Sequence, residues 1–91
     1  MSSENFKIFF SNQFIKILLK LSKKDKLVVK RIEVEILKLG QNPLIGKPLR
    51  NVLRNYRRVH LGHFVLVYEI KGNTIQVLDY DHHDKIYKKK F

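Results

Sequence analysis

The sequence predicts an α+β fold, with an N-terminal helical hairpin packed on one face of a small antiparallel β-sheet of about four strands. Three observations support this prediction. The first half of the chain has apolar residues at helical spacing, a loop with two prolines follows, and from residue 55 the apolar pattern alternates with period two. The 91 residues suit one domain, which we assign to residues 1–91.

The N-terminal segment predicts a short strand followed by a helix. Residues 6–10, with the sequence FKIFF, are the aromatic and β-branched residues typical of a strand. Ser11 or Asn12 can cap the next element, because their side chains accept hydrogen bonds from free amides of a first helical turn. The segment NQFIKILLKLSKK then places its apolar residues on one helical face and its lysines elsewhere.

A second helix is predicted over residues 25–39. Its apolar stripe includes Ile32 and Ile36, and Gly40 is predicted to terminate it, with Pro43 just beyond. Because the connection to the first helix is short, we expect the two helices to form an antiparallel hairpin.

The second half of the chain predicts strands. Residues 42–51 have the composition of a loop, and residues 55–70 predict two strands joined by a turn near Gly62. Residues 73–80 predict the next strand, and the tail from residue 84 predicts a short helix or a last strand. The helical hairpin needs one sheet face to bury its apolar stripe, which leaves the other face free to carry function.

The charge of the chain predicts a polyanionic partner. Lysine and arginine number 19 against 8 aspartates and glutamates, for a net charge of +11. No acidic residue lies between Glu35 and Glu69. Basic domains of this kind commonly bind nucleic acid. The cations of this window are Lys38, Lys47, Arg50, Arg54, Arg57 and Arg58.

The composition also excludes several classes of site. The chain has no cysteine, which excludes disulfides, cysteine zinc sites and thiol nucleophiles. No early apolar run resembles a signal peptide, and none approaches the ~18 residues that a membrane span needs. We therefore expect a soluble cytoplasmic protein without a membrane partner.

One candidate functional row lies on the first predicted strand after the loop. Tyr56, Arg58 and His60 share one face of that strand, while Val59 and Leu61 face the core. Arginine grips phosphate, tyrosine stacks on bases and histidine transfers protons, so the row suits contact with RNA. The alternative is an exposed polar face whose side chains pair across strands.

The segment DYDHHD, residues 79–84, has three interpretations. Its aspartates and histidines could ligate a metal ion, although adjacent histidines on an extended chain point to opposite faces. One histidine could instead transfer protons beside a cationic surface. In the third interpretation the aspartates form turns and the histidines are partly solvated. The segment taken alone favours the third interpretation.

The whole pattern resembles the RelE/ParE superfamily of toxins from type II toxin–antitoxin systems, and the RelE branch in particular. The resemblance covers nearly the whole chain, from the strand and helical hairpin to the antiparallel strands. Its most specific parts are KPLRNVLRNYRRVHLGHFVLVYEI and IQVLDYDHHDKIYK. The residues that match the family's order are Leu49, Arg58, His60, Gly62, Phe64, Tyr68, His82, His83 and Tyr87.

The resemblance implies a ribosome-dependent endoribonuclease in which a ribose 2′-hydroxyl attacks the adjacent phosphate, with no metal or other cofactor. Such a reaction needs a base, an acid and cations for the phosphate charge. The implied catalytic residues are Arg58, which grips phosphate, Tyr87, which acts on the 2′-hydroxyl, and two histidines at family arginine positions, His60 and His83. Further RNA contacts are predicted for Lys47, Arg50, Arg54, Tyr56, Arg57, His82 and Lys88.

The chain departs from the family pattern at Phe64–Val65, where members often carry Tyr-Arg. Either the histidines replace the missing arginine or the nuclease is altered. A ParE-like inhibitor of DNA gyrase and a non-catalytic RNA-binding protein are the alternatives. The resemblance also implies a separate acidic antitoxin, similar to RelB, in a hetero-oligomer with this chain, and the ribosome and mRNA as targets.

Overall fold

A mixed five-stranded sheet organises the computed structural model, which describes residues 6–49 and 56–89. The elements are β1 (Lys7–Phe10), α1 (Asn12–Lys24), α2 (Lys26–Gln41), a 3₁₀ turn (Pro43–Ile45), β2 (Lys47–Pro48), β3 (Tyr56–Leu61), β4 (Phe64–Lys71), β5 (Thr74–His82) and α3 (His83–Ile86). Within these described ranges, no helix has the length and apolarity to cross a membrane.

The predicted α+β class is confirmed, but the sheet has five strands and is not wholly antiparallel. Its order is β1-β5-β4-β3-β2, with β1 parallel to β5 and the other neighbours antiparallel. Amide hydrogen bonds from Lys7 to the Asn73 carbonyl (3.1 Å) and from Ser11 to the Val77 carbonyl (2.9 Å) flank the parallel pair. Alternation along a strand indicates which residues share a face, but not which strand lies alongside or in which direction.

The helical hairpin begins at the predicted cap and turns within a single residue. The Ser11 hydroxyl accepts a hydrogen bond from the Phe14 amide (3.0 Å) and donates one to the Leu78 carbonyl (2.7 Å), which attaches α1 to β5. Asp25 caps α2 by accepting a hydrogen bond from the Val28 amide at 3.2 Å. The hairpin turn is therefore encoded locally, by a polar cap that directly follows the last residue of α1.

The predicted end of α2 at Gly40 is wrong. The helix continues to Gln41, and the following residue, Asn42, caps the 3₁₀ turn through its side chain. Gly40 is buried, and a Cβ built on it would lie 3.2 Å from Ile8 of β1. This glycine thus permits a close approach between helix and strand, a requirement that its position near a helix end does not reveal.

The main core lies between the helical hairpin and one face of the sheet, which we call the helix face. Its buried residues are Phe14, Ile32, Ile36, Leu39, Leu66, Tyr68, Ile75, Val77 and Tyr80. Tyr68 also joins this core to the 3₁₀ turn, because its hydroxyl donates to the Pro43 carbonyl (2.5 Å) and accepts from the Gly46 amide (3.0 Å). Burial raises the pKa of the Tyr68 hydroxyl, and the Gly46 hydrogen bond opposes that rise only in part.

The opposite face, which we call the tail face, is not left open as predicted. The tail forms the helix α3, and Ile86 from this helix packs into a second, smaller core with Leu49, Tyr56, Val65 and Val67. The prediction of an open face is wrong because α3, which follows β5 directly, folds back over it. Function on this side is therefore restricted to the edge of a small apolar cluster.

Candidate functional site

Three side chains of the predicted site meet on the tail face. Arg58 and His60 share this face because they are two residues apart on β3. Tyr87 arrives from the end of α3, where its hydroxyl lies 3.5 Å from Nε2 of His60. The Arg58 guanidinium lies over the Tyr87 ring, 5.6 Å from its centroid. Twenty-seven residues of sequence separate His60 from Tyr87, and the fold brings them into contact.

Arg58 is held in place by the backbone of β2. One terminal nitrogen donates to the Pro48 carbonyl at 2.7 Å, next to the Lys47–Arg58 register pair. Its Nε is buried and has no hydrogen-bond partner among the residues that the structure describes. A buried donor without a partner destabilises the fold by about 1–3 kcal/mol, and such groups are uncommon in native structures. Arg58 is thus a fixed cation that retains unused hydrogen-bonding capacity.

Tyr56 does not contribute an exposed ring to this row. Its side chain is only 8% exposed and belongs to the second core, beneath Ile86 and Leu49. The predicted stacking of Tyr56 on an RNA base is therefore corrected, because the ring is already covered by apolar neighbours. Strand alternation identified the face correctly, but not the helix that covers it.

Arg57 faces the other side of the sheet from Arg58. Its guanidinium donates to the Gly46 carbonyl at 2.6 Å, beside the Tyr68 hydroxyl on the helix face. Its predicted contact with RNA does not fit this position, because Arg57 supports the 3₁₀ turn instead. A Cβ on Gly46 would lie 2.8 Å from the Arg58 carbonyl, so this turn packs directly against β3.

Val65 lies where the family resemblance leads one to expect an arginine. It pairs with His60 across β3 and β4 and is fully buried in the second core. The position is thus on the tail face and adjacent to His60, but it supplies an apolar surface rather than a cation. Within the described part of the chain, Arg58 is therefore the one arginine of the cluster.

The segment DYDHHD divides into two groups. Its first two aspartates form a clamp with the tail: Nζ of Lys89 lies 2.6 Å from Asp79 and 3.0 Å from Asp81. Asp79 is buried, with 4% of its surface exposed, so its carboxylate needs this cation. The clamp ties the chain just after Tyr87 to β5.

The clamp shifts the pKa values of two of its members. Burial alone raises the pKa of Asp81, but hydrogen bonds from Lys89 and from the His82 amide outweigh it and lower that pKa. Burial likewise opposes the charge of Lys89, and the two aspartates outweigh it, so the pKa of Lys89 is raised. Both groups are charged over the neutral range.

The second group consists of His82, His83 and Asp84 at the start of α3. Nδ1 of His83 lies 2.9 Å from the Asp84 carboxylate, and the rings of His82 and His83 lie 4.7 Å apart. The expectation that adjacent histidines diverge is wrong here, because the chain turns from strand to helix between them. His82 also contacts Phe64, with ring centroids 5.6 Å apart.

Within residues 6–49 and 56–89, these three residues are the group that could hold a metal ion. One ligand atom from each lies within 4.8 Å of the others, although all three side chains are at least partly exposed. Nδ1 of His82 already accepts a hydrogen bond from the Asp84 amide at 3.2 Å. A metal ion bound to this nitrogen would have to displace that hydrogen bond. The absence of a metal from the mechanism stays a prediction. In the described residues the His83 side chain has no contact with the Arg58–His60–Tyr87 cluster, and His83 is linked to it through its backbone, whose carbonyl accepts the Tyr87 amide at 3.5 Å.

The other predicted RNA contacts fall around this site or outside the described residues. Lys47 and Lys88 are exposed, and Lys47 pairs in register with Arg58. Arg50 and Arg54 lie outside the described residues. The sequence did not reveal Lys89 as part of the site, and it did not reveal the structural role of Asp79. Alternation could not have identified Asp79, because an irregularity in the β4–β5 register pairs it with Val67 on the tail face, whereas strict alternation from Val77 would place it on the helix face.

Comparison with known proteins identifies relatives along nearly the whole chain. Residues 8–87 match the family model described as the ParE toxin of the type II toxin–antitoxin system parDE. The chain is 47% identical over 78 residues to a protein named RelE4 from Methanocaldococcus jannaschii, covering 82% of this chain and 83% of the relative.

Solved toxin structures share the fold. The toxin–antitoxin complex RelBE2 of Mycobacterium tuberculosis is similar with a TM-score of 0.70 and 27% identity, covering 87% of this chain and 99% of that one. The YoeB dimer of Staphylococcus aureus has a TM-score of 0.76 and 25% identity, covering 87% of this chain and 98% of that one.

Proposed function

Because the chain belongs to the ParE toxin family of type II toxin–antitoxin systems, within the RelE/ParE superfamily, we propose that it cleaves mRNA on the ribosome and so inhibits translation. The reaction uses no metal and no other cofactor. The supporting observation is the contact among Arg58, His60 and Tyr87, which combines a fixed cation with two groups that can exchange a proton. On this proposal the toxin acts in the cytoplasm, where translating ribosomes are.

The chemistry is an internal transfer at one phosphate. The 2′-oxygen of a ribose forms a bond to phosphorus while the bond to the 5′-oxygen of the next nucleotide breaks. One proton leaves the 2′-hydroxyl and one is delivered to the departing 5′-oxygen, so the products carry a cyclic phosphate and a 5′-hydroxyl. The reaction therefore requires a base, an acid and a cation at the phosphate.

The cluster and His83 together can supply these roles. Arg58 presents a guanidinium whose remaining donors suit a phosphate oxygen, and its charge stabilises the extra negative charge of the transition state. The hydroxyl of Tyr87 and the imidazole of His60 lie 3.5 Å apart, a distance that tightens readily when substrate binds. We assign to this pair the removal of the proton from the 2′-hydroxyl. His83, oriented by Asp84, is the candidate donor to the leaving oxygen.

A toxin that binds without cutting is the second candidate. The observation that favours it is Val65, the buried apolar residue opposite His60, where the family resemblance implies a catalytic arginine. A ParE-like toxin of this kind would inhibit DNA gyrase, and a non-catalytic one would bind RNA. In either case the Arg58 cluster would be a binding surface rather than an active site.

We also propose a separate acidic antitoxin, similar to RelB, that forms a hetero-oligomer with this chain. RelBE2 of Mycobacterium tuberculosis, which shares the fold, is a toxin–antitoxin complex. The net charge of +11 favours a partner of opposite charge, and a partly disordered segment that folds on binding can wrap such a surface.

The test is to incubate the purified protein with ribosomes that translate a defined mRNA and to map the 5′ ends of the transcript. We expect ribosome-dependent cuts that leave 5′-hydroxyl ends. His60→Gln should lower the cleavage rate by about 10²-fold or more, as for loss of a general acid–base group. The matched control is His63→Gln, an exposed histidine of the β3–β4 turn, which should leave the rate unchanged.

The same assay separates the two candidates. Intact mRNA together with inhibition of DNA supercoiling by purified gyrase would reject the nuclease and select the gyrase inhibitor. Intact mRNA with no effect on gyrase, but with retained RNA binding, would select the non-catalytic form.

A further inference from the structure

A second basic surface lies beside the candidate site, on the other side of His60. Helix α2 and the end of β3 enclose an open cleft of about 590 Å³. The helix contributes three cations, Lys30, Arg31 and Lys38, and the sheet contributes His60, Leu61 and Gly62. Lys30 and Arg31 were not singled out from the sequence, and Lys38 was named there only as part of the window without acidic residues.

The cations of this cleft are largely uncommitted. All three are exposed, and the acidic residue of the cleft, Glu35, forms a long ion pair with Lys38 at 3.7 Å. Within the described part of the chain, the side chains of Lys30 and Arg31 have no hydrogen bond or ion pair. The cleft therefore presents a positive surface that an anion can reach without displacing an internal partner.

Apolar side chains lie between the cations. Leu27 is 76% exposed and Val34 is 48% exposed, and both line the cleft on the same face of α2 as the basic residues. Lys30 and Lys38 are eight residues apart, which is about 12 Å along a helix. A row of separated cations with apolar contacts between them suits a single nucleic-acid strand, whose phosphates alternate with sugars and bases.

His60 connects this surface to the candidate active site. The residue lines the cleft, and its side chain contacts the Tyr87 hydroxyl on the tail face. A strand that lies in the cleft therefore reaches the Arg58–His60–Tyr87 cluster on the tail face by passing His60. An acidic protein would satisfy the cations equally well, but it would have no need of a continuous path to that cluster.

We propose that the cleft between α2 and β3 binds the single-stranded RNA next to the cleavage point. The proposal rests on the proposed nuclease function and extends it, by assigning Lys30, Arg31 and Lys38 to the phosphates of the flanking nucleotides. These residues hold the substrate, and they take no part in the chemical step.

The test compares two triple variants by fluorescence anisotropy with a labelled single-stranded RNA oligonucleotide over a series of salt concentrations. One variant, Lys30→Gln/Arg31→Gln/Lys38→Gln, neutralises the cleft. The matched control, Lys16→Gln/Lys20→Gln/Lys23→Gln, removes the same charge from exposed positions of α1. Thermal melting by circular dichroism checks that both variants fold.

We expect the cleft variant to lose about tenfold or more in affinity and to reduce the slope of log K against log salt by about 2, since three single-strand phosphate contacts contribute ~0.7 each. The control should lose less affinity and keep a steeper slope. Equal losses in the two variants would overturn the proposal, because net charge alone would then explain binding. The proposal would also be overturned if the cleft variant lost the same proportion of its affinity for polyglutamate as for RNA.

A cleavage assay distinguishes this proposal from the proposed function. Tyr87→Phe should bind the oligonucleotide but fail to cleave ribosome-bound mRNA, and the cleft variant should cleave with a raised KM. If no form of the protein cleaves RNA while the cleft variant still loses binding selectively, the nuclease is rejected and the cleft stands. If cleavage occurs and the cleft variant has the wild-type KM, the cleft is rejected and the nuclease stands.

Discussion

The two faces of the sheet are built from alternate residues of the same strands, yet they serve different purposes. The helix face is closed by two helices over a continuous apolar core. The hydroxyl of Tyr68, a buried tyrosine of this core, both donates and accepts a hydrogen bond. The tail face has a smaller core, covered by a four-residue helix. Around that core lie Arg58, His60 and Tyr87, which are still able to form new contacts.

The difference shows how a small domain separates stability from function. A chain of 91 residues buries only about 60–65% of the surface that its unfolded form exposes, so its core is small. The helix face supplies most of the apolar burial, so the tail face can hold an unpaired donor and exposed polar groups. The clamp of Lys89 with Asp79 and Asp81 keeps the tail in position without a large core.

Two tyrosines, one on each face, give the sharpest test of this comparison. Tyr87→Phe should lower RNA cleavage by about 10²–10⁴-fold, as for loss of a proton-transferring group, with little change in the free energy of unfolding. Tyr68→Phe should do the opposite, because it strips partners from the Pro43 carbonyl and the Gly46 amide at a cost of about 1–3 kcal/mol. Urea unfolding and single-turnover cleavage measure the two effects. A stability loss in Tyr87→Phe equal to that in Tyr68→Phe would contradict the division between faces.

The helix face should also dominate the response to cavities. Leu39 is fully buried and Leu37 is 68% exposed, although both lie on the last turns of α2. Leu39→Ala should lower the free energy of unfolding by about 2–5 kcal/mol, since it removes buried apolar surface and leaves a cavity. Leu37→Ala, the matched control, should stay within about 0.5 kcal/mol of the wild type. Similar losses in the two variants, measured by urea unfolding, would show that α2 does not bury this stripe.

The clamp on the tail face should produce a smaller effect. Lys89→Met leaves the buried Asp79 carboxylate without its cation and should cost about 2 kcal/mol, less than for a fully buried pair because Lys89 is 32% exposed. The matched control is the exposed neighbour, in the variant Lys88→Met, which should be close to the wild type. Loss of cleavage in Lys89→Met would follow from a displaced Tyr87.

The pH dependence of stability separates the clamp from a packing effect. The pKa of Asp81 is lowered in the folded protein. Its contribution to the free energy of unfolding is therefore complete above the ordinary aspartate pKa near 3.9, and it is lost as the pH falls through the lower pKa of the folded state. The pKa of Lys89 is raised, so its contribution is complete below about 10.4 and is lost as pH rises through the higher folded value. The stability difference between wild type and Lys89→Met should therefore be constant between these limits and shrink beyond them. A difference that persists unchanged at both extremes would point to lost packing of the lysine stem.

Local patterns in the sequence predicted much of the fold. The apolar spacing predicted both helices, the polar residues Ser11 and Asn12 predicted a cap that Ser11 forms, and alternation assigned Arg58 and His60 to one face. These features depend on residues within a few positions of one another. The parallel pairing of β1 with β5 was missed because it joins strands that are far apart in the sequence.

The candidate site shows the same division. Sequence alone determined which side chains could do chemistry on β3, and the family resemblance added Tyr87. Only the tertiary structure decided that Tyr56 is buried, that Arg57 supports the 3₁₀ turn, and that Tyr87 meets His60. Periodicity reports the direction of a side chain from its own backbone. What that side chain meets depends on which distant segment fills the space, and that is settled by the packing of the whole chain.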